Sequence, residues 1–449
     1  MKTDQGRSTD HLESEVSLRR ATGAWAKVAA LSFGGPAGQI AVMHRLLVEQ
    51  RRWISEERFL HALNFCMLLP GPEAHQLAIY IGWLLNGALG GILAGVLFVI
   101  PGFISILGLS IIYAEFGDVG IVQTVFYGLK PAVVAVVIEA VIRIGRRALK
   151  TRFLAALAGA AFVAIFFLGV PFPLIVLTAA LVGWLGYHAR SSAVLPEASD
   201  SRRESRPRSP LPTLARSVRV LLAGLAVWFG PVGLALWIAG GKSILSDLGF
   251  FVSKVAVITF GGAYAVLAYV AREGVARGWL RPEEMLDGLG MAETTPGPLI
   301  QVVQFVGFMG AYRNPGDLTP LTAALLASGI TCWVTFVPSF LWIFLGAPYV
   351  ERLRGWKALS ASLSAITASV VGVILNLAVW FSLHTLFARV TDTRLGFIRL
   401  HVPSPPFDPL AAVIVVVSLV ALLRLKLGMF ATFGIAVTIG FLGRQLLSL

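Results

Sequence analysis

The chain has 449 residues, 56% of them apolar and only 14% charged, and its mean hydropathy of +0.78 lies far above that of soluble globular proteins. This balance excludes a soluble globular chain and requires an integral membrane protein. The formal charge of +13 then belongs to basic cytoplasmic loops, so nucleic acid need not be invoked.

Residues 1–20 are polar and of both signs, without the apolar core and cleavage site of a secretory signal, and read as a cytoplasmic tail. Two apolar segments follow, 21–48 and 58–86, interrupted by Gly34-Gly35-Pro36 and by Pro70-Gly71-Pro72, with the arginine-bearing stretch 49–58, read as cytoplasmic, between them. Apolar runs at 86–113, 127–142 and 153–187 complete a first unit over 21–189. Several runs are long enough to cross roughly 30 Å of hydrocarbon. Residues 190–217, rich in Ser, Pro and Arg, cannot bury a core and read as a basic cytoplasmic linker. An extra span, 218–240, precedes a second unit, 241–449, with breaks at Gly261-Gly262 and Pro296-Gly297-Pro298. Further apolar runs cover 318–345, 360–383, 409–423 and 427–442. Such continuous runs lack the alternation of barrel strands. The fold class is an all-α integral membrane protein.

The two units repeat each other. "AKVAALSFGG" (26–35) matches "SKVAVITFGG" (253–262), "RRWISEERF" (51–59) echoes "RGWLRPEEM" (277–285), and "LLPGPEAHQLAIYIGW" (68–83) echoes "TTPGPLIQVVQFVGF" (294–308). Pro101 matches Pro338, and "VVAVVIE" (133–139) matches "VVGVILN" (370–376). One additional crossing between the units inverts the second. Charge agrees, because 143–152 is basic and cytoplasmic and 114–120 acidic and external, whereas 349–357, in the place of 114–120, is basic. The loop 386–408 is then external. The expected architecture is two inverted-topology repeats of broken, re-entrant helices plus spanning helices, with one linking span.

If both ends of 21–48 and of 58–86 face the cytoplasm, each segment enters the membrane and returns as two half-helices. Unpaired backbone at that depth is tolerated only where protein or a water-filled cavity covers it. The N–H groups that open a half-helix attract an anion. Inverted repeats with helices broken at the midplane characterise secondary transporters. Read structurally, the same glycines and prolines permit kinks and close packing; four breaks at repeat-related positions favour a site.

The motifs "SFGGP", "LPGPEAHQLAIYIGW" and "FVIPGF" in the first unit, with "TFGGAYAVLAYV" and "AETTPGPLIQVVQFVGF" in the second, resemble the chromate transporter family in its long, two-domain form. The resemblance covers most of both units. It implies an inner-membrane carrier that exports chromate, confers chromate resistance, and draws on the membrane potential or proton gradient rather than ATP. A carrier of sulfate or another tetrahedral oxyanion is the alternative within transport, and a membrane scaffold or enzyme with structural breaks the alternative outside it.

Candidate substrate-binding residues are the break glycines Gly34, Gly35, Gly71, Gly261, Gly262 and Gly297, the aligned amides Gln76 and Gln301, and the matched cations Lys27 and Lys254. The lysines reach toward the break or snorkel to the interface; the amides donate to an oxyanion or bond between helices. Glu73 and His75 follow Pro72 in the first turn of a half-helix, and Glu293 precedes the second PGP motif; these are candidate proton-coupling groups, with helix capping the rival role for Glu73. Lys130, ahead of Pro131, is expected as an external interfacial anchor, Arg45 as a solvated helix end, and Glu139 as the partner of Arg143. Cys66 and Cys332 read as packing residues, and Gly87, Gly91 and Gly95 as a close-packing stripe. "GGKS" (240–243) lacks the first glycine of a phosphate loop, and no HExxH, GxSxG or His/Cys cluster is present. No cofactor or metal is therefore expected. The expected partners are chromate or a similar oxyanion and the lipid bilayer, with a homodimer left open.

Overall fold

The computed structural model describes residues 16–33, 35–117, 119–189, 213–239, 243–260, 263–349, 357–396 and 398–447. Gly34, Gly261, Gly262 and most of the 190–217 linker lie outside the described residues.

The first series of helices is α1 (Leu18–Leu31), α2 (Gly35–His44), α3 (Glu56–Cys66), α4 (Glu73–Phe116), α5 (Gly120–Ala148), α6 (Arg152–Phe166) and α7 (Phe172–His188). α4 is two arms. At Asn86 and Gly87 the backbone leaves helical geometry, Gly87 taking φ 62°, which a glycine adopts without strain. The short arm doubles back on the long one, so that a Cβ on Gly82 would lie 2.5 Å from the carbonyl oxygen of Gly90. Gly91 and Gly95 let the arms meet, both abutting Ile79. Gly87 is the reversal itself rather than a member of the packing stripe.

α8 (Leu214–Ala239) leads to the second series: α9 (Ile244–Ile258), α10 (Ala263–Ala276), α11 (Pro282–Thr294), a 3-10 turn Leu299–Gln301 continued by α12 (Val302–Arg313), α13 (Pro320–Gly346), α14 (Lys357–Leu386), α15 (Pro409–Leu423) and α16 (Met429–Leu447). With α4 counted as its two arms, the helices on either side of α8 follow the same order. By length and composition α4, α5, α8, α13 and α14 can cross a membrane, and α6, α7 and α15 are shorter apolar helices.

The series interlock. α6 and α7 pack on α14, and α15 and α16 pack on α5. Small residues allow the approach: a Cβ on Gly183 would lie 2.6 Å from the Ala361 carbonyl oxygen, and one on Gly128 would lie 2.6 Å from the Cα of Val437.

The expected loop 386–408 is instead largely an antiparallel hairpin, β1 (Phe387–Leu395) and β2 (Ile398–Phe407). Val390, Thr391 and Thr393 favour extended backbone, and Gly396, at φ 64°, makes the turn. The Arg399 amide ties β2 to the Phe167 carbonyl at 2.6 Å, and His401 packs edge-on against Phe166.

Candidate functional site: the crossing of the helix breaks

α1 and α9 end at matched hydroxyl residues. Ser32 Oγ donates to the Val28 carbonyl and Thr259 Oγ1 to the Val255 carbonyl, both at 2.6 Å. Such back-bonding occupies the hydroxyl and leaves the backbone carbonyl of Ser32 and of Thr259 free to turn outward. Each carbonyl is taken by the other series: the Gly71 amide donates to Thr259 at 2.8 Å, and the Gly297 amide donates to Ser32 at 2.9 Å. Gly71 and Gly297 stand at φ 126° and 115°, where any other residue is strained.

The opposite side of each turn is walled crosswise as well. A Cβ on Gly71 would lie 3.2 Å from Ser339 Oγ, and one on Gly297 would lie 3.1 Å from the Cα of Gly102. Ser339 and Gly102 follow the matched prolines Pro338 and Pro101 inside α13 and α4. Thus each PGP turn is gripped by the other series on two faces. Gln39, buried on α2, adds a bond of 2.5 Å from Nε2 to the Gly297 carbonyl.

Pro72 and Pro298 stand at the N-cap positions of the half-helices that follow, and neither supplies a side-chain cap. Their first-turn N–H groups therefore keep donors for an anion. Buried polar atoms without a partner gather here: Oε1 of Gln76, Oε1 of Gln301 and Oγ of Ser339. The Nε2 of Gln76 donates to the Pro70 carbonyl at 2.7 Å, closing its own PGP turn. Gln301 Nε2 reaches the Val99 carbonyl and Gln304 Oε1, at 3.5 and 3.3 Å. Gln304, which the sequence reading passed over, donates to the Phe103 carbonyl at 3.0 Å; its place three residues after Gln301 on one helix was the available signal.

His75 is fully buried between Phe336, Phe340 and Phe98, with ring centroids 5.0, 5.3 and 6.3 Å away. Neither ring nitrogen has a hydrogen bond of ordinary geometry. Glu73 is half-buried at the start of its half-helix. Glu293 is buried and accepts a short hydrogen bond from Tyr264, leaving Oε2 without a partner. Gly35 is buried at the start of α2.

The lysines are not part of this assembly. Lys27 and Lys254 occupy exposed positions on α1 and α9, and the Lys254 ammonium lies 5.7 Å from the ring centroid of Tyr269. Lys130 is not an interfacial anchor: its Nζ is 3.2 Å from Oδ2 of Asp287, a carboxylate that is 1% exposed. α5 begins at Gly120, so Lys130 sits well inside the helix. Glu139 pairs with Arg143 at 3.4 Å. Cys66 is buried and Cys332 half-buried, with no disulfide between them. Among the described residues no group of three or more His, Cys, Asp or Glu could hold a metal ion.

A family model described as chromate transporter matches residues 20–184 and again 246–441, so both break-bearing series are covered. A "Chromate transport protein" of Pseudomonas aeruginosa is 32% identical over 372 residues, 82% of each chain. The one from Cupriavidus metallidurans is 27% identical over 386 residues, 81% of this chain and 82% of the relative. A "Probable chromate transport protein" of Synechococcus elongatus is 26% identical over 415 residues, 90% of this chain and 96% of the relative. No solved structure matches.

Proposed function

This chain belongs to the chromate transporter family, and we propose that it is a secondary carrier exporting chromate across a bacterial inner membrane by alternating access of two inverted units, 21–189 and 241–449, thereby conferring chromate resistance. The observation that carries this reading is the crosswise pairing of Gly71 with Thr259 and of Gly297 with Ser32. Because each PGP turn is held by the opposite unit, a rocking of one unit against the other displaces both turns together. That is how one pair of half-helix ends faces first one side and then the other.

The dianion binds at the uncapped amides that follow Pro72 and Pro298, and at the half-helix ends entered through the FGG motifs, with Gly71 and Gly297 keeping side chains out of its way. Gln76 and Gln301 line this place. The exposed lysines contribute only a screened positive field. Glu73, His75 and Glu293 are the groups through which protonation acts on the anion site, because a carboxylate fixed beside a dianion opposes binding unless it is neutralised.

The test is radiolabelled chromate uptake by inside-out membrane vesicles, in competition with sulfate. Saturable, energised uptake that persists in ten-fold excess sulfate is expected. Equal inhibition by sulfate replaces chromate with tetrahedral oxyanions in general, and no uptake in vesicles of either orientation overturns the carrier.

A further inference from the structure

α11, the helix that feeds the second PGP turn, carries three buried acids held in three different ways. Glu284 is neutralised by Arg313, whose guanidinium donates twice, at 2.7 and 2.5 Å, with Arg281 on its other side at 3.8 Å. Asp287 is held differently. Lys130 of α5 and Tyr113 of α4 both act on Oδ2, at 3.2 and 2.7 Å, while Oδ1 is buried without a partner. Glu293 accepts from Tyr264, and its Oε2 has no hydrogen-bond partner among the described residues.

We propose that Asp287 is a proton-binding site of the carrier and that its ion pair with Lys130 is a clasp between the two units, opened by protonation. This deepens the carrier reading of the preceding subsection and rests on it. A structural ion pair in a low-dielectric interior needs its remaining lone pairs satisfied. Glu284 meets that condition through its paired bonds with Arg313, and Asp287 does not. Its bare Oδ1 is the atom where a proton can add while Tyr113 still donates to Oδ2. The charges acting on Asp287 are Lys130 and Glu284, with Tyr113 as hydrogen-bond donor; Glu284 is itself engaged by Arg313. When the carboxylate takes up a proton it becomes a neutral acid, and the Lys130 ammonium loses its counter-charge. The clasp then no longer holds α5 to α11.

The clasp reaches the anion site along one rigid element. From Asp287, α11 runs to Thr294 and ends at Pro296-Gly297-Pro298, where Gly297 binds Ser32 of the first unit. Asp287 is thus about 10 Å of helix from that turn. While Asp287 is ionised the clasp holds the units of the empty carrier still, and the bound anion opens it for the outward stroke. A proton taken up after anion release frees them for the return stroke, and gives up its place on the other side. Proton and anion then move in opposite directions.

The experiment uses the full chain in proteoliposomes, with an imposed pH gradient, a pH-sensitive dye and labelled chromate. In the wild type an inward proton gradient should accelerate chromate efflux. Asp287→Asn should lower the ratio of gradient-driven efflux to chromate–chromate exchange at least ten-fold. A ratio equal to wild type, or wild-type efflux indifferent to the gradient, overturns the proposal. If Asp287→Asn does not fold, Tyr113→Phe removes the hydroxyl that favours the carboxylate, and the pH midpoint of efflux should move upward by about half a unit; an unmoved midpoint overturns it. Failure of the wild type to carry chromate at all would sink the carrier reading instead. An infrared carboxyl band that titrates in the unloaded wild type and is missing in Asp287→Asn, or in Asp287→Glu is displaced, reads the proton site independently of any cargo, and a titration identical in all three overturns it.

Discussion

Gly297 and Gly102 stand so close that a Cβ on the first would lie 3.1 Å from the Cα of the second, which fixes where the PGP turn of one unit touches the Pro101 helix of the other. Backbone cannot step aside as a side chain can. At Gly71 the added Cβ would instead meet Gln76 Nε2 at 2.8 Å and Ser339 Oγ at 3.2 Å, both ends of side chains. Gly297→Ala should therefore cost more than Gly71→Ala, although both suffer the positive φ, worth about 1–3 kcal/mol. Thermal unfolding in detergent, followed by chromate flux of the surviving protein, checks the ranking; a more stable Gly297→Ala than Gly71→Ala would contradict it.

Gln39 tests the crossing without touching a glycine. Its Nε2 satisfies the Gly297 carbonyl at 2.5 Å while the side chain is buried. Gln39→Leu keeps the volume but strands that carbonyl, at a cost of about 1–3 kcal/mol. A lowered melting temperature together with slowed chromate flux is expected. A Gln39→Leu protein as stable and active as wild type would mean that Gly297 finds another donor.

Exposure decides the expectation for the matched lysines. At exposed positions of α1 and α9 the two ammoniums are screened far more than a buried charge is, so Lys27→Gln and Lys254→Gln should change the half-saturation for chromate less than two-fold at physiological salt. Lys254→Gln should also lose the contact over Tyr269, worth about 0.5–1 kcal/mol at an exposed site. Concentration series for both single variants and the double, normalised to protein in the membrane, provide the check. A five-fold or greater rise in half-saturation would bring the lysines into the site.

The breaks were legible because glycine and proline have local consequences: Gly71 and Gly297 need positive φ, and Pro72 and Pro298 start half-helices without a cap. What the breaks touch was not legible. The bonds from Gly71 to Thr259 and from Gly297 to Ser32 join backbone groups of distant segments, and backbone carries no residue-specific signal. Lys130 was misplaced because a charge before a proline resembles a helix start, whereas α5 tolerates Pro131 in its interior. Asp287 went unnoticed inside "PEEMLDGLG", which is polar enough to pass for a surface loop although α11 is buried along nearly its whole length. The hairpin at 387–407 was hidden by its short alternating pattern between two apolar spans.

The hairpin also supplies the sharpest test of sidedness. α14 runs from Lys357 to Leu386 and passes directly into β1. α6 runs from Arg152 to Phe166, against which His401 of β2 packs edge-on, and the Arg399 amide donates to the Phe167 carbonyl. Both helices therefore run toward the end where the hairpin sits, with Arg147 and Lys357 preceding their starts or at them. α14 packs along α6, with Gly372 against Ala158 and Phe162, so both helices start on the same side of that contact. By the positive-inside rule the basic stretch around Arg147 is expected on the cytoplasmic side. Single cysteines at Arg147 and Lys357 should thus react with an impermeant maleimide only in inside-out vesicles, and a cysteine at Thr393, an exposed position of β1, only in right-side-out ones. In the inverted architecture Arg147 closes the first unit's α5 and Lys357 opens the second unit's α14, so labelling of these two from opposite sides would rule it out.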